Sequence, residues 1–151
     1  MLFIFDLDDT TINSQHRQGE TLADWIALNT PENVARDSLL PLADSWKTID
    51  QSRDDVVIMT SRVIADADLA FLARSGLRYR FIYSRPEGSM IPCGQLKTAM
   101  VLQCARDLGR SLAWMRSNAF MFDDSNEVRE ALTALKIKCY NPISYNARNA
   151  K

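Results

Sequence analysis

The chain has 151 residues, 46% of them hydrophobic and 25% charged, with a formal net charge of −1. That is the length of one domain with a sizeable core, and it carries no overall basic field for nonspecific binding to nucleic acid. No apolar run approaches the roughly 20 residues of a membrane span, so no membrane association is expected.

The N-terminus reads MLFIFDLDDTT. Leu2 to Phe5 is continuous and apolar, as in a strand covered on both faces. It is too short for a signal peptide, lacks a basic start and runs into acids. Asp6, Asp8 and Asp9 follow at once, and carboxylates so close together repel and are costly to bury. About 45 residues then separate this strand from the next, more than one crossover helix needs. Within them residues 14–37 read as a small flap or cap insertion. Trp25, Ile26 and Leu28 precede Thr30-Pro31-Glu32, a helix start with Thr30 as N-cap. His16, the single histidine, falls in the same flap. An insertion at the ligand end of a sheet is a candidate lid. Leu39 to Ile49 then repeats apolar residues at helical spacing: Leu39, Leu42, Ala43, Trp46 and Ile49.

Val56 to Met59 is the second apolar run, followed by Thr60, Ser61 and Arg62. Ile64 to Leu72 reads as a helix that Gly76 ends. Tyr79 to Tyr83 is a third strand, followed by Ser84 and Arg85. Gln95 to Leu108 is a long helix with Lys97 near its start and Gly109 after it. Ala119 to Phe122 is a fourth strand, running into Asp123 and Asp124. Ser125 or Asn126 caps a helix through Leu135, and Ile137 to Tyr140 is a weaker edge strand. Strands alternating with helices predict an α/β fold: a doubly wound parallel sheet in a single domain over residues 1–151, with the insertion after strand one. Trp25, Trp46 and Trp114 read as packing residues. Cys93, Cys104 and Cys139 read as core filler; they form no CxxC pair, which points to reduced thiols in a cytoplasmic setting.

In a parallel sheet the carboxyl ends of the strands form one surface, and ligands bind there. The acids after strands one and four, Thr60-Ser61-Arg62 and Ser84-Arg85 should therefore converge. Carboxylates gathered in this way need a cation. Their hard oxygens suit Mg²⁺, which pairs readily with phosphate. A carboxylate not used as a ligand can act as nucleophile, a hydroxyl such as Thr60 can donate to a phosphate oxygen, and Lys97 can neutralise both partners. The residues alone thus point to a Mg²⁺-dependent phosphate site.

Taken in order, these segments resemble the motifs of the haloacid dehalogenase superfamily of phosphohydrolases. DLDDT at residues 6–10 is similar to its D-x-D-x-T motif, VVIMTSR supplies the strand-end Thr60, GQLKTAM supplies Lys97, and FMFDDS supplies the final acidic pair. The resemblance implies a Rossmann-like core. It makes Asp6 the nucleophile and Asp8 the general acid and base, with its backbone carbonyl on the metal. It assigns Thr60 and Lys97 to the phosphate and Asp124 to Mg²⁺, with Asp123 orienting Lys97 or a metal-bound water. The metal set is then Asp6, Asp8, Asp123 and Asp124. Asp9 stands where the family usually has glycine and receives no role.

MTSR and IYSRPEG are similar to the 3′-phosphatase domain of phage-type polynucleotide kinase/phosphatases, and TSR also resembles deoxyribonucleotidases. Ser61, Arg62 and Arg85 would then contact substrate phosphate beside Thr60 and Lys97. GSMIPCGQLKT lacks the spacing of a P-loop, so no kinase half is read. The expectation is a Mg²⁺-dependent phosphomonoesterase with an aspartyl-phosphate intermediate. Its partner would be a phosphorylated small molecule, a nucleotide or a nucleic-acid 3′-phosphate end. The alternatives are a phosphatase of sugar or other metabolite phosphates, a phosphotransferase, and a non-catalytic Mg²⁺- and phosphate-binding module. The last would be marked by loss of Asp6, which is present. A response-regulator receiver would need a lone Asp after strand three, where Ser84 and Arg85 stand.

Overall fold

The computed structural model describes residues 1–151. Strand β1 (Leu2–Phe5) leads through a tight turn to β2 (Ile12–Asn13). A 3-10 turn (Gln15–Arg17), α1 (Leu22–Leu28) and α2 (Pro31–Val34) follow, and β3 (Ser38–Leu39) returns antiparallel to β2. Residues 14–37 therefore leave and rejoin the fold through this two-stranded pair. Next come α3 (Pro41–Lys47), β4 (Asp55–Met59), α4 (Asp66–Arg74), β5 (Phe81–Tyr83) and α5 (Cys93–Asp107). The chain ends with α6 (Leu112–Asn118), β6 (Ala119–Phe122), α7 (Asn126–Ala134), β7 (Lys138–Tyr140) and α8 (Ile143–Asn149).

The main sheet is five-stranded and parallel, in the order β5-β4-β1-β6-β7. The first strand is central and the weakly apolar last one lies at an edge. Period-2 alternation sends its side chains to two cores, as expected when helices cover both faces. Leu2, Ile4, Val57, Met59 and Met121 pack with Leu96, Met100, Val101 and Leu132 on the α5–α7 side. Phe5, Val56 and Ile58 pack with Trp46, Phe71 and Leu72 on the α3–α4 side. Phe5 stacks flat on Trp46 at 4.8 Å, and the Trp46 indole donates to the Arg78 carbonyl at 2.8 Å. Each such buried side chain contributes about 1.5–3 kcal/mol. No helix is long and apolar enough to cross a membrane.

Several boundaries differ from the sequence pattern for local reasons. Leu39 pairs with Ile12 as strand, and helix α3 starts only at Pro41, whose fixed φ favours the first helical turn. The long helix begins at Cys93, after Pro92. Gly76 follows α4 at φ +72°, the left-handed conformation that stops a helix. Thr30 caps α2 through the Asn33 amide.

Candidate active site

The site residues lie one step beyond the strand ends because the sheet ladder continues past the last paired residue. The Asp6 amide donates to the Phe122 carbonyl at 3.1 Å, Thr60 to Tyr83 at 2.9 Å and Asp123 to Tyr140 at 3.1 Å. Three loops are thus held at the same edge. Lys97, one turn into α5, reaches the same point. Its ammonium donates to Asp6 Oδ1 at 2.8 Å, Asp123 Oδ2 at 2.7 Å and the Met59 carbonyl at 2.7 Å. All three of its protons are used. Lys97, Asp6 and Asp123 are buried.

Ligand oxygens of Asp6, Asp123 and Asp124 lie within 4.8 Å of one another. Burial pushes the Asp6 carboxyl well above the usual range; Lys97 opposes this, and Asp123 and Asp8 add to it. Burial pushes Asp124 up to about 6, helped by Asp123 and Asp9. Burial opposes charge on Lys97 too, but Asp6 and Asp123 more than offset it and hold the ammonium protonated. The cluster therefore carries more negative charge than one lysine can balance. Its donors are all hard oxygens, a set that fits Mg²⁺.

Thr10 binds this cluster together. Its hydroxyl lies 3.3 Å from Asp6 Oδ2 and 3.4 Å from Asp124 Oδ1, and accepts from the Asp124 amide at 3.1 Å. The Thr11 hydroxyl donates to the Asp6 carbonyl at 2.8 Å. The motif reading gave Thr10 no task, although it is the threonine of D-x-D-x-T. Asp8 is turned elsewhere. Its carboxylate meets the Arg62 guanidinium and the Ser14 hydroxyl, and its side-chain oxygens are not among those of the acidic cluster.

The two arginines expected at substrate phosphate are buried with their donors engaged. Arg62 spans Asp8 and Asp68. Arg85 donates to the carbonyls of Ser61, Ser89 and Ile91, bracing the loop after β5. The Thr60 hydroxyl is buried and accepts from the Arg62 amide at 3.1 Å, while Ser61 faces the cleft.

Above the cluster opens a cleft of about 640 Å³. Asp6, Lys97, Asp123 and Asp124 line one part of it. Leu22, Trp25 and Ile26 of α1 line another, with Met90 and Ile91 from the loop after β5. Trp25, read from the sequence as packing, is half-buried and faces this cleft, whereas Trp46 is core. Cys93, read as core filler, also lines it.

A family model of the bacteriophage T5 5′-deoxynucleotidase matches residues 1–138. The chain belongs to that family. Its fold is shared with haloacid dehalogenase-type proteins. A chain of the Pnkp1/Rnl/Hen1 RNA repair complex superposes with a TM-score of 0.68 at 20% identity, over 92% of this chain and 41% of that one. The chain thus spans about two-fifths of the length of that relative. A haloacid dehalogenase-like hydrolase from Streptococcus pneumoniae superposes at TM-score 0.67 and 10% identity, over 91% of this chain and 82% of that one. A superfamily hydrolase from Geobacter sulfurreducens gives 0.63 at 13% identity, over 91% and 84%. No curated protein matches in sequence. The family match and the shared fold both come with the acidic cluster and Lys97 gathered at one edge of the sheet.

Proposed function

We propose that the chain is a Mg²⁺-dependent phosphatase of deoxynucleoside 5′-monophosphates, working through an aspartyl-phosphate on Asp6. The observation that carries this reading is the buried Asp6–Lys97–Asp123–Asp124 cluster, set in a cleft with an apolar second wall. A phosphate fits the polar end. A nucleobase fits between Trp25 and Ile26 on one side and Met90 and Ile91 on the other, and about 640 Å³ is within the usual range for small-ligand pockets. The family the chain belongs to, that of the bacteriophage T5 5′-deoxynucleotidase, supports the same substrate class.

Asp6, Asp123 and Asp124, with the Asp8 backbone carbonyl, would hold Mg²⁺. When bound it supplies positive charge to the phosphate and to the carboxylates. Asp6 attacks phosphorus through a carboxylate oxygen, and the bond to the ester oxygen breaks. Asp8 gives that oxygen its proton. Asp8 then takes a proton from the water that attacks phosphorus, and the bond to Asp6 breaks. Lys97, its protons held by Asp6, Asp123 and the Met59 carbonyl, lends its positive charge to the phosphate on Asp6, and Thr60 secures the loop after β4 by accepting from the Arg62 amide. Arg62 and Arg85 serve the scaffold around it.

The test is a phosphate-release assay with Mg²⁺ on thymidine 5′-monophosphate, a 3′-phosphorylated oligonucleotide and a sugar phosphate. The 5′-monophosphate should be the best of the three. Asp6→Asn should lower kcat on the order of 10⁴-fold while the protein stays folded. Turnover retained by that variant would sink the mechanism, and a clear preference for either other substrate would sink the substrate assignment.

A further inference from the structure

Beneath the cleft runs a buried ionic chain that the phosphate site itself does not require. Arg62 donates through Nε to Asp8 Oδ2 at 3.1 Å and through Nη2 to Asp8 Oδ1. The Ser14 hydroxyl also donates to Oδ1, and Gln18 Nε2 approaches Ser14 Oγ at 3.3 Å. The far side of the same guanidinium, Nη1, donates to Asp68 Oδ1 at 2.5 Å. Asp68 Oδ2 accepts from the Ala65 amide at 3.0 Å and from Asn29 Nδ2 at 3.0 Å. Arg17 lies 3.4 Å from Asp68 Oδ1 and grips Asp37 with two bonds of 2.8 and 2.6 Å. Asp68 and Arg17 are each 2% exposed and Arg62 is 6% exposed.

A buried chain of this kind is a poor source of stability, because desolvating the charges consumes most of what their attraction returns. What it supplies is orientation. A forked guanidinium fixes the plane of a carboxylate, which a single-point lysine does not. Asp8 Oδ1 takes two bonds and Oδ2 takes one, so Oδ2 keeps one position open for a proton, and Asp8 is among the residues that line the cleft. We infer that Arg62 and Asp68 are positioning residues. Asp68 locks Arg62, and Arg62 presents Asp8 to the leaving oxygen. Through Asn29 and Arg17 the same lock ties Asp8 to the 14–37 insertion, whose helix α1 forms one wall of the cleft. The inference rests on the phosphatase reading above, with Asp8 as the proton donor.

The test varies the leaving group. A nucleoside 5′-alkoxide must be protonated as it departs, whereas 2,4-dinitrophenolate leaves unaided. kcat/KM reports only the steps up to departure of that group. It is measured for wild type, Asp68→Asn and Arg62→Lys on thymidine 5′-monophosphate and on 2,4-dinitrophenyl phosphate. Both variants should lose about 10²-fold on the nucleotide, the low end for a proton-transfer group, and less than about 5-fold on the dinitrophenyl ester. Asp8→Asn should show the same selective pattern. Ser14→Ala removes one hydroxyl, and it keeps the test open should Asp68→Asn not fold. It should show a smaller loss, about 5-fold, on the nucleotide alone. Equal losses on both substrates in folded variants, or no loss on either, would overturn the positioning role. A wild type that cleaves neither ester would instead overturn the phosphatase reading and this inference with it.

Discussion

Asp9 holds the left-handed backbone conformation at φ 57°, and its charge helps to raise the Asp124 carboxyl to about 6. Glycine would take that turn freely, but aspartate tolerates it better than most residues. Here Gln18 also anchors its carboxylate at 2.9 Å. The residue therefore keeps a charge beside the cluster at a modest conformational cost. Asp9→Asn preserves the turn and an acceptor for Gln18 while removing the charge. It should stabilise the metal-free protein at neutral pH by about 0.5 kcal/mol and weaken Mg²⁺ binding several-fold. Thermal melting in chelator and a Mg²⁺ titration measure the two effects. Asp9→Val, branched at Cβ, should cost about 1–2 kcal/mol instead. Asp124 also sets a pH dependence. Its folded value of about 6 lies above the ordinary 3.8, so the fold favours its protonated form. The stability it lends the metal-free protein is fully present below about 3.8 and is lost as pH rises through about 6. Asp6 is shifted the same way. Mg²⁺ reverses that loss by neutralising the ionised cluster. The rise in Tm on adding Mg²⁺ should therefore grow as pH is raised across 6, and a rise independent of pH would count against the cluster as the metal site.

Helix α8 joins the last turn of the chain to the first motif. Asn146 accepts from the Leu42 amide at 2.9 Å and donates to the Thr10 carbonyl at 3.0 Å, and the Tyr145 hydroxyl meets Ser45 at 2.6 Å. Asn146→Ala leaves a buried donor and a buried acceptor without partners, so it should cost about 2–4 kcal/mol, read as a lower urea midpoint. Because Thr10 bridges Asp6 and Asp124, the same variant should weaken Mg²⁺ binding; full Mg²⁺ affinity in a destabilised variant would separate α8 from the site. Nothing in the sequence marked α8, α6 or α1. Each is seven residues long and buries almost nothing, only Met115 in α6 and Asn146 in α8, so no apolar period shows, and α1 buries no residue at all. Its signal is instead local, a capping box in which Thr21 and Asp24 bond each other's backbone amides. Strands β1, β4 and β6 were legible because continuous apolar runs over four or five residues are hard to place anywhere but a covered sheet, whereas the runs of β5 and β7, interrupted by Arg80 and Lys138, lie at the sheet edges. That Asp6, Asp123 and Asp124 meet is what parallel topology predicts, and Lys97 joins them from the start of α5. The second use of Arg62 was not legible, because its partner Asp68 sits six residues on, where an acid reads as an ordinary first-turn residue of α4.

At the scale of the molecule the distribution of charge decides what size of substrate fits. The cleft is lined by the acids Asp6, Asp8, Asp9, Glu20, Asp123, Asp124 and Glu127 and by three cations, Arg62, Arg85 and Lys97. All three cations are buried and spend their donors on protein groups. No row of free lysines or arginines leads away from the cluster along the cleft, so a polynucleotide backbone would meet acids where it needs cations. A single phosphate beside Mg²⁺ does not face that repulsion at every step. This favours a mononucleotide and gives a salt test. A protein that neutralises 6–10 phosphates loses about 10³–10⁵-fold in affinity between 50 and 200 mM salt. Here kcat/KM on thymidine 5′-monophosphate should fall by less than about 3-fold over that range, because one phosphate is engaged and its counterion release is correspondingly small. Single-stranded DNA without terminal phosphates should not inhibit at low salt. Competitive inhibition by such DNA, with a steep salt dependence, would instead reveal a strand-binding surface and move the substrate from a free nucleotide to a nucleic-acid end.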